Sequence, residues 1–254
     1  MNEELGFDRP SHRQAPRSER GNLLFDLRET AELLTLDEDE LDELWLYHPD
    51  QYISVGFMLR CQRLVRGMEA LVETGLLDAA AVLVRPTIEA AVTGLWILEV
   101  GMDAVGSLLG YDRKETRRFI ASLTGEKPDS GSFDRTMSFW FETAEDRPFV
   151  PIKDRAGKLY PWLQRIHFES HSWVHATVRA SYLSFEMDDI EKDPERREWT
   201  GLLPRSLQGE LTNAAVISLI LGREVHRCLS WESAIFDELL EGLGADEDML
   251  ALFD

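Results

Sequence analysis

Residues 79–98 have the sequence AAAVLVRPTIEAAVTGLWIL, an almost wholly apolar stretch with two charges, Arg85 and Glu89. Apolar residues recur around it at alternating spacings of four and three, which is the pattern of a helix seam. The members of this seam are Leu77, Ala81, Val84, Ile88, Ala91, Leu95 and Leu98. The other residues are also small or apolar. The stretch therefore predicts a helix that is covered on most sides, in the middle of a helical bundle.

The two charges of this stretch are four residues apart, so on a helix Arg85 and Glu89 face the same way. Burying a lone charge is costly, and burying a paired one costs much less. An arginine that precedes a glutamate is the weaker order for pairing within one helix, which favours partners on neighbouring helices. Two interpretations stay open, a structural ion pair that fixes helix register and a functional site.

Pro86 interrupts the helical pattern, because proline lacks a backbone donor and clashes with the preceding turn. The sequence predicts either a kink near residues 83–85 or a helix that starts there with Pro86 in its first turn. A kink would expose backbone carbonyls beside Arg85. The stretch is long enough to span a membrane, but its central charges, its proline and its lack of basic flanks favour a soluble protein without membrane contact.

A second long helical pattern precedes this stretch and covers residues 51–75. Its predicted seam consists of Phe57, Cys61, Leu64, Met68 and Leu71. Gly75 is placed to end this helix, and the next pattern begins at once. A short link between two long helices predicts an antiparallel hairpin.

Further helical patterns begin at residues 22, 102 and 206, and no alternating strand pattern of any length occurs. The fold class predicted is all-α, a multi-helix bundle built on the central antiparallel hairpin. We expect a flexible polar N-terminal arm over residues 1–21, a single helical-bundle domain over residues 22–243 and an acidic tail over residues 244–254.

Composition limits the class of function. The formal net charge is -20 at pH 7, which disfavours general binding to nucleic acid and to anionic membranes. The two cysteines, Cys61 and Cys228, lie far apart within helical patterns, and we expect buried free thiols. The N-terminal residues have no apolar core, so we expect no signal peptide and a location in the cytoplasm of a bacterium.

Residues 162–185, WLQRIHFESHSWVHATVRASYLSF, form the second informative segment, with histidines at positions 167, 171 and 175. On a helix His167, His171 and His175 would form one line about 12 Å long, too long for one metal ion to bind all three. No Glu-x-x-His pair occurs anywhere in the chain. We therefore expect no metal and no cofactor, and histidines that cap, pack or bind buried carboxylates remain the simpler interpretation.

Arg165 and His171 are separated by five residues, a pattern that resembles the signature of HEPN-type helical ribonucleases. The resemblance implies metal-independent cleavage of RNA, in which histidine transfers protons near neutral pH and arginine binds phosphate. Arg85 and His175 would complete such a site. The strongly acidic composition argues against an RNA substrate.

Two short motifs together resemble the DUF5677-like families of all-helical bacterial proteins. They are LVRPTIEAAV, with Arg85 and Glu89, and SHSWVHAT, with Ser172 and His175. The resemblance implies that Arg85, Glu89 and His175 approach one another, with Ser172 in the same cleft. It also implies a link to bacterial defence.

Three functional hypotheses follow. The first is a non-catalytic binding or sensor component of a defence or stress system, with a protein partner or as a homodimer. The second is the HEPN-like ribonuclease or toxin, the only hypothesis in which RNA is a partner. The third is a small-molecule-binding protein in which the aromatic loop of residues 139–162 forms a lid over a pocket.

Overall fold

The computed structural model describes residues 19–36, 48–112, 147–157 and 205–245. Within these residues 82% are helical and none lies in a strand, so the predicted all-α multi-helix bundle is confirmed. The helices are α1 (Glu19–Leu33), α2 (Pro49–Glu73), α3 (Leu77–Val82), α4 (Val84–Val100), α5 (Ile152–Arg155), α6 (Arg205–Cys228) and α7 (Ala234–Gly242). Residues 102–112 are helical as well.

Helix α4 lies at the centre of the bundle and packs against both α2 and α6. All residues from 90 to 97 are buried, as are Val84, Thr87 and Ile88. The predicted burial on most sides is therefore confirmed. The segment Ala79–Val100 is long and apolar enough to cross a membrane, with a mean hydropathy of 1.5, but 67% of it is buried inside the protein. Most of it thus packs inside the protein as a core helix.

Two contacts define how α2 lies on α4. The Ser54 hydroxyl donates to the carbonyl of Gly94 at 3.2 Å, and the Cys61 thiol donates to the carbonyl of Thr87 at 3.7 Å. Because an earlier residue of α2 meets a later residue of α4, the two helices run in opposite directions.

The buried face of α2 differs from the predicted seam. Cys61 and Met68 are buried as expected, but Phe57, Leu64 and Leu71 are only partly buried. The other buried members of this face are Ser54, Val55, Met58, Gln62, Val65 and Val72. Helix α2 contacts α1, α4 and α6 at once, so three neighbours rather than one seam determine which residues it buries.

The helical structure is interrupted at Leu83, between α3 and α4, and Pro86 lies in the first turn of α4. Of the two alternatives that the sequence left open, the helix start is confirmed. Proline has no N–H to donate to the carbonyl four residues earlier, so a continuous helix would lose a hydrogen bond there. The first turn is closed by Thr87, whose backbone N–H and hydroxyl donate to the carbonyl of Leu83 at 3.2 and 2.7 Å. Gly75, with a φ of 86°, follows α2 at the predicted position.

The end of α6 is joined to α7 by a group of charges around Arg223. This arginine is buried and contacts Glu224 at 2.8 Å and Asp237 at 3.1 Å. Cys228 at the last position of α6 is exposed, so the prediction of a buried thiol is wrong there, because the helix ends beyond the core. The other thiol, Cys61, is buried, and burial raises its pKa to about 12.

Candidate functional site

A cavity of about 910 Å³ lies beside α4 and is bounded by α2, by the helical residues 102–112 and by the segment of residues 147–157. Its described lining is mostly apolar. The apolar members are Ile53, Phe57, Pro86, Ala90, Val105, Leu108, Leu109, Phe149, Pro151 and Ile152. The polar and charged members are Arg60, Arg85, Glu89, Thr93, Tyr111, Asp112 and Arg155. The charged pair singled out in the sequence thus faces a cavity rather than a packed interface.

Arg85 and Glu89 pair with each other along α4, with Arg85 Nε donating to Glu89 Oε1 at 2.8 Å. The sequence favoured partners on neighbouring helices, and the structure shows that the two side chains also pair within one helix. The side chains are 23% and 41% exposed, so neither charge is enclosed in the core. The cavity thus lets both groups keep part of their solvation.

Arg155, at the end of α5, is held in a fixed position on the cavity wall. Its Nε donates to the carbonyl of Val150 at 2.7 Å, and its Nη1 donates to Thr93 Oγ1 at 3.1 Å. The guanidinium carbon lies over the rings of Trp96 and Phe149, 5.3 and 5.0 Å from their centroids. Contacts with aromatic faces stabilise a cation, and the two hydrogen bonds orient it.

The electrostatic setting of Arg155 is unusual for an arginine. Burial lowers the pKa of its guanidinium, while Glu89, Asp112 and Tyr111 act in the opposite direction. Arginine nevertheless stays protonated in proteins. Among the described residues, no carboxylate oxygen lies within 4.0 Å of a guanidinium nitrogen of Arg155, so none forms an ion pair with it. The cavity therefore contains a half-buried positive charge whose hydrogen bonds go to neutral oxygens.

The segment that carries Arg155 is anchored to the helical residues 102–112. Ser107 Oγ donates to the carbonyl of Pro148 at 2.7 Å and accepts from the N–H of Val150 at 3.2 Å. The rings of Tyr111 and Phe149 lie 4.3 Å apart between centroids. This part of the predicted aromatic loop is thus packed, and it forms one wall of the cavity.

The balance of charge in the cavity is opposite to that of the whole chain. Three arginines, at positions 60, 85 and 155, face it with two carboxylates, Glu89 and Asp112. The chain as a whole has 27 basic and 47 acidic residues. Burial raises the pKa of Asp112, and Arg155 acts against this shift. As the pH falls, this carboxyl therefore loses its charge earlier than an ordinary aspartate.

The structure brings together only part of the site predicted from sequence. Arg85 and Glu89 lie in the cavity, whereas Arg165, His167, His171, Ser172 and His175 lie outside the described residues. The predicted approach of His175 to Arg85 and Glu89 therefore stays a prediction. In the part of the chain that the structure describes, no group of three His, Cys, Asp or Glu side chains is placed to bind a metal ion.

Sequence reasoning missed Arg155, Thr93 and Asp112. Arg155 lies within an irregular segment with two prolines, PFVPIKDRAG (residues 148–157), in which no helical periodicity marks a face. The only available signal was an arginine among large apolar residues in a loop expected to pack. Its partner Thr93 is 62 residues away in sequence, so the contact depends on the tertiary structure.

No family model matches the chain, and comparison with curated proteins and with solved structures finds no match either. The DUF5677-like and HEPN-like resemblances accordingly stay predictions that rest on their short motifs.

Proposed function

We propose that the protein binds a small organic anion in the cavity beside α4, as a non-catalytic binding or sensor component. The observation that carries this proposal is Arg155, a half-buried guanidinium that faces the cavity without an ion-paired carboxylate among the described residues. Desolvating a charge costs free energy, and a bound anion offsets that cost. Arg155 is therefore placed to gain from an anionic ligand.

The hydrogen bonds of Arg155 leave a definite part of the guanidinium for a ligand. Nε and one Nη1 hydrogen are engaged by Val150 and Thr93. Among the described residues nothing accepts a hydrogen bond from Nη2 or from the second Nη1 hydrogen, and this end of a guanidinium can bind two oxygens of a carboxylate or phosphate side by side. Thr93 is itself fixed, because its hydroxyl donates to the carbonyl of Glu89 at 2.6 Å. The anion-binding edge is thus oriented before a ligand arrives.

The walls of the cavity indicate that the anion is organic. Ten of its described lining residues are apolar, and two of these, Phe57 and Phe149, are aromatic. Small-molecule sites are commonly of about 300–1,000 Å³, with mostly apolar walls and a few polar groups that set orientation. A cavity of about 910 Å³ falls in this range. An inorganic anion would leave most of the apolar surface uncovered.

A titration of octanoate by calorimetry tests the proposal, with octanamide as the neutral ligand of the same length. We expect octanoate to bind and octanamide to bind more weakly. Arg155→Gln should lower the affinity for octanoate about 10-fold to 100-fold, the range for losing a hydrogen bond to a charged group. Lys153→Gln is the matched control, because Lys153 lies exposed on the same short helix and does not line the cavity.

Equal effects of Arg155→Gln and Lys153→Gln would contradict the proposal, because a general change of charge would then account for both. Equal affinity for octanoate and octanamide would also contradict it, since apolar contact alone would then explain binding. A circular dichroism melt of each variant shows whether the fold is retained.

The ribonuclease hypothesis is a second candidate, favoured by one observation. Arg85, which that hypothesis places in the site, lines the cavity together with Arg60 and Arg155, and clustered arginines suit a phosphodiester. Incubation of total RNA with the purified protein and a chelator tests it. Cleavage by the wild type that is lost in Arg85→Gln would support a nuclease, and intact RNA would exclude one. The links to defence, to a protein partner or homodimer and to the cytoplasm rest on sequence alone.

A further inference from the structure

A second guanidinium, that of Arg60 on α2, faces the same cavity. Among the described residues, no carboxylate oxygen lies within 4.0 Å of a guanidinium nitrogen of Arg60 either, so none forms an ion pair with it. Arg85, the third arginine, differs because it contacts Glu89 at 2.8 Å. The cavity thus presents two positive groups, one on α2 and one on α5, that are not neutralised by an ion pair within the described part of the chain.

Arg60 starts from a different level along α4 than the level at which Arg155 is bound. Cys61, next to Arg60, contacts the carbonyl of Thr87, whereas Arg155 contacts the hydroxyl of Thr93. Thr87 and Thr93 are six residues apart on one helix, which corresponds to about 9 Å along its axis. A ligand that reaches from one level to the other is therefore elongated.

The cavity wall near these levels has an apolar part, which includes Phe57 of α2 and Ala90 of α4, beside the carboxylate of Glu89. On the basis of the proposed function, we infer that the ligand is an elongated dianion, with two anionic ends joined by an apolar chain. One end binds Arg155, the other binds Arg60, and the chain lies against Phe57 and Ala90. The apolar chain covers the wall, one end binds half-buried Arg155, and the other end binds Arg60, which is exposed to solvent at the edge of the cavity.

Glu89 sets a lower limit on the length of such a ligand. It lies on α4 between Thr87 and Thr93, and its carboxylate faces the same cavity. A short dianion bound to Arg155 would bring its second charge toward Glu89, where like charges repel. A longer dianion passes this level and reaches Arg60. The geometry therefore predicts selection by length and not only by charge.

Calorimetric titration of the full chain with the α,ω-dicarboxylates from succinate to sebacate tests this inference. Each is compared with the monocarboxylate of the same carbon number, which separates the gain from added methylene groups. We expect the advantage of the dicarboxylate to peak at intermediate length, with suberate binding about tenfold or more tighter than octanoate. Succinate should show no such advantage over butyrate.

Variants of α2 identify the group that binds the second carboxylate. In Arg60→Gln, the ratio of suberate to octanoate affinity should fall to about one, because the second end loses its partner. Arg63→Gln is the matched control, since Arg63 is exposed on the same helix and does not line the cavity. We expect that variant to keep the wild-type ratio.

Two results would overturn the inference in different ways. If the wild type binds octanoate but binds no dicarboxylate more tightly than its monocarboxylate, the dianion is wrong and the anion-binding function stands. If the wild type binds neither ligand, the proposed function itself fails and the inference falls with it. A third result is that Arg63→Gln lowers the ratio of suberate to octanoate affinity as much as Arg60→Gln does. That result would assign the effect to overall charge and reject the role of Arg60.

Discussion

Asp112 lies at the end of the helical residues 102–112 and faces the cavity near Arg155. Its carboxylate would repel an anion bound to Arg155, and Coulomb repulsion between partly solvated groups is of the order of 0.5–1 kcal/mol. We expect Asp112→Asn to raise the affinity for octanoate about twofold to fivefold, as measured by the same calorimetric titration.

The charge of Asp112 also predicts how anion binding depends on pH. Burial raises the pKa of this carboxyl above its usual value of 3.8, so it becomes neutral at a higher pH than an ordinary aspartate. Affinity should therefore rise as the pH falls from neutral through this raised pKa. Octanesulfonate is the suitable probe, because it keeps its charge throughout the range.

The control for this pH dependence is the Asp112→Asn variant, which has no carboxyl to titrate at this position. A flat profile in Asp112→Asn beside a rising profile in the wild type would assign the effect to Asp112. The same rise in both proteins would assign it to another group. Asp26 on α1 also has a pKa raised by burial, and it does not line the cavity.

At the scale of single residues, the sequence located part of the site but not its contacts. Arg85 and Glu89 stand out because charges are rare in an apolar helix. Their spacing of four residues allows them to pair with each other, whereas the cavity that they face arises only when the helices pack. Arg155 carries no comparable signal, since its hydrogen bond to Thr93 and its contact with Trp96 bring together residues far apart in the chain.

Among the elements, α6 depends on the absence of a side chain at Gly222. A Cβ atom added there would lie 2.5 Å from Phe236 Cε1 and 2.6 Å from Leu34 Cδ2, closer than packed atoms tolerate. Both neighbours are fully buried, so neither can move away freely. Gly222→Ala should therefore lower the free energy of unfolding by about 1–3 kcal/mol, as measured by urea denaturation.

Gly209 provides the matched control for that substitution on the same helix. A Cβ atom there would meet no heavy atom within 4 Å. Because alanine favours helix more than glycine does, Gly209→Ala should raise the free energy of unfolding by about 0.5–1 kcal/mol. Destabilisation of similar size in both variants would contradict the packing of α6 against α1 and α7.

The boundaries of the elements were predictable where one residue decides them. Gly75 follows the end of α2, and Pro86 lies in the first turn of α4, because the backbone of each of these residues permits few alternative conformations. The buried face of α2 was less predictable, since its three neighbouring helices select the buried residues. Helix α1 begins at Glu19, three residues before its apolar pattern, because polar residues can form a first helical turn.

On the scale of the whole molecule, an apolar central helix led correctly to an all-α bundle. A chain with a net charge of -20 nevertheless contains a cavity in which arginines outnumber carboxylates. Composition describes the average surface and cannot reveal such a local reversal, which arises from α2, α4 and α5 meeting at one place. The histidine segment, residues 162–185, lies outside the described residues.

The most direct test of the central claim is a crystal structure of the protein grown with 8-bromooctanoate, with the bromine located by its anomalous scattering. The account predicts a bromine peak inside the cavity bounded by α2 and α4, with the carboxylate within hydrogen-bonding distance of the Nη atoms of Arg155. Bromine peaks found only outside this cavity, or a carboxylate bound away from Arg155, would contradict it.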